Sequence, residues 1–302
     1  MSALRWLVQP PERSACVRHV RLIPVLVIAL TAAPALAQEP GTPAAPPATG
    51  ELGDSITVGA AAAYLTDYEG SDDYQLVPGP AAIGSFNGYA FQLLGNRLSV
   101  DLIPNRAGTG LDFQAGPVAV LNLNRNSVKA IEDDRVKALG SLDIGVELGA
   151  YVGIGQVGVI TSDYDRLSVS VSYRNDVAGA SKGGVWQPSV SYLTPLSTKA
   201  AVGLFASAEH ADDDYARYYF SVSPAQSVPS GLPAYDAEGG WKSYTIGAAG
   251  GVALTGDLLH GFKLVGGVTY KRMLNDFGDS PLTSIAGSRS QWLGAVGIGY
   301  TF

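Results

Sequence analysis

The residues best suited to catalysis lie around His210, which precedes a run of three aspartates at 212–214 and follows Ser207. An imidazole oriented by a carboxylate can activate a serine hydroxyl, provided that the groups come within hydrogen-bond reach of one another. Spacing along the chain does not establish that reach. The only other histidine after residue 37 is His260, which falls in a different connection. We therefore expect no catalytic residues and a non-enzymatic protein.

Acidic residues are concentrated in the segments that separate the apolar stretches of the chain. Carboxylate clusters can bind Ca²⁺, or bridge through divalent cations to anionic lipopolysaccharide. The run at 212–214 lacks the alternating spacing and the glycine of a calcium loop. Solvated loop charge is the simpler interpretation, and we predict neither a metal site nor a cofactor. Six aspartates remain candidates for contacts made by external loops: Asp67, Asp72, Asp73, Asp212, Asp213 and Asp214.

The stretches between these loops have apolar residues at every second position. Between residues 142 and 154 every even position is apolar, whereas Asp143 and Glu147 occupy odd positions. A strand buried in a soluble core would not place two carboxylates there without partners. Lipid on one face and a wet interior on the other explain the alternation.

The end of the chain repeats this pattern. From Trp292 to Phe302 the even positions are mostly large and apolar, and the odd positions are mostly small or weakly polar. About ten alternating residues match a strand that crosses an outer membrane at a tilt. We predict that this strand pairs with residues 56–64 to close a barrel. Tyrosines at predicted strand ends indicate an aromatic girdle: Tyr64, Tyr173, Tyr244, Tyr270 and Tyr300.

Twelve stretches alternate in this way, and their connections alternate in length. Short connections are predicted at 87–88, 104–109, 155–156, 194–198 and 255–261. Five of the six connections between them are long, including 125–138, 210–240 and 271–288. This pattern predicts an all-β fold: a transmembrane antiparallel β-barrel of about 12 strands, with ten as the alternative and both termini in the periplasm.

Three prolines interrupt strand-like runs. A closed barrel has no free edge, so a proline within a strand would leave one ladder hydrogen bond unmade. For Pro78, Pro80 and Pro117 we therefore predict bulges or positions at the rim.

The first residues have the form of a secretory leader. Arg18 and Arg21 precede an apolar run at 22–33, and the residues that end at Ala37 have the small-x-small form of a cleavage site. We predict a signal peptide at 1–37, a Pro/Ala-rich periplasmic lead-in at 38–53 and an outer-membrane β-barrel at 54–302. Cleavage near Ala37 also removes Cys16, so the mature chain has no cysteine for a disulfide or a thiolate metal site.

Charge excludes one class of partner. Without the leader, 16 basic and 26 acidic residues remain, a net charge of −10. Nucleic-acid binding is driven by Lys and Arg at phosphates, so we expect no nucleic-acid partner. The expected surroundings are outer-membrane lipid and lipopolysaccharide of a Gram-negative cell.

Four motifs in order resemble those of the MipA/OmpV family of outer-membrane proteins. They lie at 67–74, 222–236, 279–282 and 299–302, within a match that spans residues 54–302. The resemblance implies a scaffold that links a murein-degrading lytic transglycosylase, MltA, to a bifunctional penicillin-binding protein. Other members are linked to adhesion or to small-molecule and antibiotic response. The alternative function is therefore a narrow channel or a ligand- or adhesin-type barrel. The resemblance carries over no catalytic residue.

Overall fold

A computed structural model describes residues 55–104 and 110–302. Twelve antiparallel strands close into one barrel, in which each strand pairs with its neighbours in sequence. This confirms the predicted twelve-stranded barrel. The predicted leader at 1–37, the lead-in at 38–53 and most of the 104–109 turn lie outside the described residues. The strands are β1 (Ser55–Thr66), β2 (Tyr74–Phe86), β3 (Tyr89–Leu94), β4 (Arg97–Val100), β5 (Leu111–Asn122), β6 (Gly145–Val157), β7 (Arg166–Asp176), β8 (Gly184–Ser197), β9 (Ala200–Ala211), β10 (Gly240–Ala253), β11 (Gly261–Met273) and β12 (Ser290–Thr301).

The last strand closes the barrel, as predicted. β12 pairs with β11 on one side and with β1 on the other, where Val58 lies opposite Tyr300. The backbone N–H group of Phe302 donates to the carbonyl of Ile56 at 3.0 Å. Closure leaves no sheet edge exposed to lipid, a condition that a membrane-spanning sheet must meet.

The outer surface is that of a membrane-spanning barrel. Side chains at the predicted lipid-facing positions are exposed, including Val152, Val296 and Ile298. Tyrosines pair with other aromatic rings near both ends of the strands, as in the stacked pair of Tyr64 and Tyr74 at 5.1 Å. Apolar residues flanked by such rings form the lipid-facing band of a barrel.

Within residues 55–104 and 110–302, no helix combines the length and the apolar character that a membrane crossing requires.

The two ends of the barrel differ. We name the end at Ser55 and Thr301 the turn end; its connections are 87–88, 101–110, 158–165, 198–199 and 254–260. We name the opposite end the loop end; its connections are 67–73, 95–96, 123–144, 177–183, 212–239 and 274–289. The three longest connections all lie at the loop end, as predicted. The predicted alternation holds only in part, because the turn-end connections at 101–110 and 158–165 are longer than the loop-end connections at 67–73 and 177–183.

The predicted bounds of one strand are wrong at both ends. Residues 155 and 156 lie inside β6, and the turn that follows spans 158–165. At the other end Leu142 and Asp143 precede β6. The N–H group of Leu142 donates to the carbonyl of Arg125, and that of Asp143 donates to the hydroxyl of Tyr218. Both backbone groups are thus bonded to the loop end rather than to a neighbouring strand.

The prolines produce no bulge, contrary to prediction. β1 and β2 pair in unbroken register through Pro78 and Pro80. β3 pairs only with residues 81–86 of β2, and the carbonyl of Pro80 points to the β3 side, where it accepts from the N–H of Gly95. The backbone nitrogens of both prolines thus point to the β3 side of the strand, where the hydrogen-bond ladder between β2 and β3 has already ended. Pro117 likewise lies one residue beyond Val118, where pairing between β4 and β5 ends. The missing donors therefore cost no ladder hydrogen bond.

Five short α-helices cap the loop end, together with a 3₁₀ helix at Val128–Ala130. Asp212 and Ser223 act as N-caps of the second and third, because their side chains accept from backbone N–H groups of the first turn. We name residues 67–73, 123–144, 212–239 and 274–289 the plug. Its helices are α1 (Asp134–Lys137), α2 (Asp213–Phe220), α3 (Pro224–Ser230), α4 (Asn275–Asp279) and α5 (Pro281–Ser284).

Two apolar clusters hold the plug together and join it to the barrel. One contains Tyr215 and Phe220 of α2, Phe277 of α4 and the strand-end residues Val185 and Met273. The predicted 222–236 loop contributes to the second cluster, whose members are Tyr68, Ile131, Val136, Leu139, Val222, Leu232, Leu282 and Ala286. The plug is therefore a packed layer across the loop end.

Candidate functional site in the plugged lumen

Six charged side chains meet inside the loop end of the barrel, and we name them the ion network. Glu69 enters from the plug, and the other five come from the wall. Three carboxylates face three cations, so the network is electrically balanced. Its members are Glu69, Glu147, Arg174, Glu209, Lys242 and Lys271.

The cations bridge the carboxylates. Arg174 lies 2.6 Å from Glu147 (Nε to Oε2) and 2.8 Å from Glu209 (Nη2 to Oε1). The ammonium of Lys242 lies 3.0 Å from Oε1 of Glu69 and 2.9 Å from Oε2 of Glu209. Lys271 also pairs with Glu69. Removing one member would leave a buried charge uncompensated, at a cost of about 3–5 kcal/mol.

α2 of the plug is joined to the same network through Tyr215. Its hydroxyl accepts from the ammonium of Lys242 at 3.2 Å and donates to Oε2 of Glu69 at 3.4 Å. The ammonium of Lys242 also lies 4.8 Å from the centre of the Tyr215 ring. Two plug segments are thus tied to one wall lysine, and they can separate from the wall only by exposing these charges.

The electrostatics favour a charged Glu69. Burial raises the pKa of this carboxyl, but the ammonium groups of Lys242 and Lys271 more than offset burial and lower the pKa below its ordinary value of 4.5. The ion pairs therefore persist at neutral pH.

Sequence patterning found only part of this network. Glu147 faces the interior, as its odd position predicts, and is 2% exposed. Glu69, which the sequence places among solvated loop acids, is instead buried. Lys242 does not follow the period-two pattern, because the register of β10 against β9 shifts between Trp241 and Ser243. This bulge lets Lys242 and Ser243 both be fully buried although they are adjacent.

Closer to the turn end, a second group of polar side chains lines the lumen. In the register of β5, β6 and β7, Gln114 lies beside Gly153, and Tyr151 beside Ser172. Arg166 pairs with Asp112 in the same region. Four buried polar atoms of this group have no hydrogen-bond partner among the described residues: Gln114 Oε1, Tyr151 Oη, Arg166 Nη1 and Ser172 Oγ. We name these four residues the lumenal polar cluster.

Glycine leaves the space beside this cluster. A Cβ atom on Gly155 would lie 3.0 Å from Oγ of Ser168 and 3.1 Å from both Arg166 and Gln114. The opposite wall carries small residues at inward positions, among them Gly59 opposite Gly299. One wall of the lumen is therefore polar, and the other carries mostly small side chains with Lys263 beside Gly299, which suits water or a slender polar solute.

A comparison with known protein families assigns this chain to one of them. The family described as MltA-interacting protein MipA matches residues 58–302. The chain belongs to the MipA family. The match covers every described strand except the first residues of β1, so the predicted resemblance is confirmed.

Among curated proteins, no relative matches the chain. Solved outer-membrane proteins resemble it at low identity. The NanC porin shares 10% identity, with 80% of this chain and 98% of the porin covered and a TM-score of 0.45. The DcaP channel of Acinetobacter baumannii shares 11% identity, with 82% of this chain and 96% of the channel covered and a TM-score of 0.37. An outer-membrane channel from Pseudomonas putida shares 13% identity, with 88% of this chain and 100% of the channel covered and a TM-score of 0.38. At these values we take no argument about function from the likeness.

Two of the six candidate aspartates of this MipA-family chain have structural contacts within the plug or at its rim. Asp67 is 1% exposed and accepts from the N–H of Glu132 at 2.8 Å. Asp212 accepts from the N–H groups of Tyr215 and Gly184 at 3.0 and 2.6 Å. Their carboxylates therefore hold loop backbone in place.

Like Asp212, three of the other four aspartates are exposed. Asp72, Asp213 and Asp214 are exposed and Asp73 is half-buried. Asp214 pairs with Arg217 at 2.8 Å, and Asp213 accepts from the N–H of Gly239 at 2.7 Å. Their role in external contacts stays a prediction.

Among residues 55–104 and 110–302, no group of three His, Cys, Asp or Glu side chains is arranged to hold a metal ion.

The serine–histidine arrangement considered from the sequence is not formed. Ser207 is buried on the inner face of β9, and His210 packs on the outer face against Trp241, with ring centres 5.4 Å apart. Residues three apart in a strand point to opposite faces. The barrel wall thus separates the hydroxyl from the imidazole.

Proposed function

We propose that this chain is a non-enzymatic outer-membrane barrel that holds murein-remodelling enzymes, a lytic transglycosylase and a penicillin-binding protein, at its periplasmic face. The observation that carries the proposal is the plug, which shuts the loop end with packed apolar clusters and buried ion pairs. A barrel closed in this way suits an anchor better than an open pore. Membership of a family described as MltA-interacting supports the choice of partner.

The proposal includes an orientation and a location. Ser55 and Thr301 lie at the same end of the barrel, as an even number of antiparallel strands requires. We place this turn end in the periplasm and the plug at the cell surface, against lipopolysaccharide. Cleavage of the leader near Ala37 would deliver the chain to the outer membrane.

The turn at 158–165 offers such a partner a surface that is held by its own hydrogen bonds. The buried carboxylate of Asp165 accepts from the N–H groups of Val159 at 2.6 Å and Ile160 at 3.0 Å. The side chains of Ile160 and Tyr164 are 64% and 74% exposed. A rigid turn that presents an aliphatic and an aromatic side chain loses little entropy on binding.

This turn keeps its shape across the pH range. Burial raises the pKa of Asp165, but the backbone N–H groups of Thr161 and Val159 and the hydroxyl of Tyr192 more than offset it and hold the pKa well below its ordinary value of 3.8. The carboxylate therefore stays charged and keeps its backbone hydrogen bonds.

The test is retention of enzymes from a periplasmic extract. The purified barrel is expected to retain a murein hydrolase or synthase, and Ile160→Asp with Tyr164→Asp is expected to lower the retained amount by about tenfold or more, the loss expected when a hot spot is removed. Val228→Asp is the matched control, because Val228 is 86% exposed in α3 at the loop end. Retained proteins are identified by mass spectrometry.

Two results would count against the proposal, the first against the scaffold itself and the second against the turn at 158–165 as its contact surface. One is a folded barrel that retains no murein enzyme. The other is equal retention by the turn variant and the wild type, which would place the partner elsewhere.

The lumenal polar cluster favours a second candidate function, a narrow channel or ligand-binding barrel. Its unpartnered atoms include donors and acceptors, as a small polar solute requires. A channel would show discrete conductance steps for the wild-type protein in planar bilayers. A silent wild type would remove this candidate and agree with a barrel shut by its plug.

A further inference from the structure

Arg125 is a buried cation without a counter-ion. It lies in the plug segment 123–144, and its side chain is 3% exposed. Within residues 55–104 and 110–302, its Nε and Nη1 atoms have no hydrogen-bond acceptor and its guanidinium forms no ion pair. A buried charge without a partner is among the costliest features a fold can contain, so a missing partner is the direct explanation.

The groups around Arg125 are donors. Tyr68, Tyr218 and Tyr219 lie close enough to this guanidinium to affect its pKa. The hydroxyl of Tyr219 is buried and has no hydrogen-bond partner within the described part of the chain. The hydroxyl of Tyr218 accepts from the N–H of Asp143 at 3.0 Å, which leaves its own hydrogen available. An environment of N–H and O–H donors around a cation matches an anion with several oxygen atoms.

The hydroxyl of the remaining tyrosine is already hydrogen-bonded within the plug. The hydroxyl of Tyr68 donates to the carbonyl of Leu282 at 3.1 Å and to that of Ala286 at 2.5 Å. It is therefore already committed to α5 and the residues that follow it.

The backbone at Arg125 is held in a defined conformation. Arg125 has a φ of 54°, in the left-handed region that side-chain-bearing residues rarely adopt. Its carbonyl accepts from the N–H of Leu142 at 2.9 Å, which ties the start of the loop to its end. Burial also lowers the pKa of Arg125 to about 10. The backbone of the site is thus held in place, and among the described residues no carboxylate pairs with the guanidinium.

We propose that Arg125 anchors a buried oxyanion site in the plug, in which the hydroxyls of Tyr218 and Tyr219 donate to the same anionic group. The ligand is a phosphate or carboxylate group, free in solution or carried by a lipid headgroup. The site is independent of the scaffold role, because it concerns the plug rather than the turn end.

The experiment measures the thermal unfolding midpoint of the purified barrel in a neutral detergent. Inorganic phosphate is added at constant ionic strength, with acetate as the carboxylate probe and phosphatidylglycerol in mixed micelles as the lipid probe. A ligand that binds only the folded state raises the midpoint progressively with concentration. A rise with phosphate or acetate identifies a soluble anion. A rise with the lipid alone identifies a headgroup.

Three variants separate this site from other anion effects. Arg125→Gln is expected to abolish the rise. Arg135→Gln is expected to keep it, because Arg135 is an exposed arginine of the same loop that pairs with Asp133. Tyr219→Phe removes one hydroxyl and is expected to raise the ligand concentration needed by about tenfold; it also provides the test if Arg125→Gln does not fold.

Two results would overturn the site. In the first, none of the three probes raises the wild-type midpoint, so the guanidinium simply packs among tyrosine rings. In the second, Arg125→Gln or Tyr219→Phe responds as the wild type does, which means that the anions act elsewhere.

Discussion

Val296→Arg is expected to destabilise the inserted barrel by about 2–4 kcal/mol, the cost of a cation on the lipid face near the middle of the bilayer. Val296 lies near the centre of β12, the strand that closes the barrel, and its side chain is 55% exposed. Its neighbour Ala295 points into the lumen, opposite Ala63 on β1 and Gly267 on β11. Ala295→Arg places the same charge one residue away, where water can reach it, and is expected to cost much less.

The measurement is a urea titration of both variants refolded into lipid vesicles, followed by heat-modifiable migration on a gel. The wild type and Ala295→Arg are expected to migrate as compact species before heating, and Val296→Arg to lose that species at lower urea. Equal stabilities, or a larger loss for Ala295→Arg, would show that the face assigned to lipid is wrong.

Glu69→Gln is expected to release the plug. The substitution keeps the shape of the side chain but removes the charge that pairs with Lys242 and Lys271. Three buried cations then face two carboxylates, and loss of one partner costs about 3–5 kcal/mol. Because Glu69 belongs to a loop rather than the wall, we expect the loop to open while the barrel remains closed.

Planar bilayers measure that opening. The wild type is expected to be silent and Glu69→Gln to show discrete conductance. Glu132→Gln is the matched control: Glu132 is an exposed plug residue that contributes its backbone N–H, not its carboxylate, to Asp67. A silent Glu69→Gln channel with an intact barrel would show that the ion network does not hold the plug.

The same pairing gives a pH dependence. The folded-state pKa of Glu69 is lowered relative to 4.5. The stabilisation is therefore complete above pH 4.5 and is lost as the pH falls through the folded-state pKa. Wild-type bilayers should stay silent from neutral pH down to about pH 4.5, and open only in stronger acid, whereas Glu69→Gln should conduct at neutral pH.

The strands could be predicted from the sequence because their signal is local. An apolar residue at every second position identifies the lipid face without knowledge of neighbouring strands, and the closing pair of β1 and β12 follows from it. Prediction failed at the start of β6, where Leu142 and Asp143 continue the alternation but bond to Arg125 and Tyr218. Those partners are distant in sequence, so no local pattern reports them.

Most of the buried charged residues in the interior could not be predicted from the sequence, for the same reason. Glu147 was placed correctly, since a strand pattern gives its face. Glu69 and Arg125 belong to loops, and their burial depends on how separate plug segments pack together. Lys242 is hidden by a bulge that shifts the alternation by one residue.

The most direct test of this account is labelling of single cysteines in intact cells with a membrane-impermeant maleimide. The chain has one cysteine, Cys16, which Cys16→Ser removes. Val228→Cys reports the plug and Tyr164→Cys the turn at 158–165; these residues are 86% and 74% exposed. We expect Val228→Cys to react in intact cells and Tyr164→Cys to react only after the outer membrane is permeabilised. The reverse order, or equal reaction of both before permeabilisation, would contradict an outer-membrane barrel with its plug outside and its turn end in the periplasm.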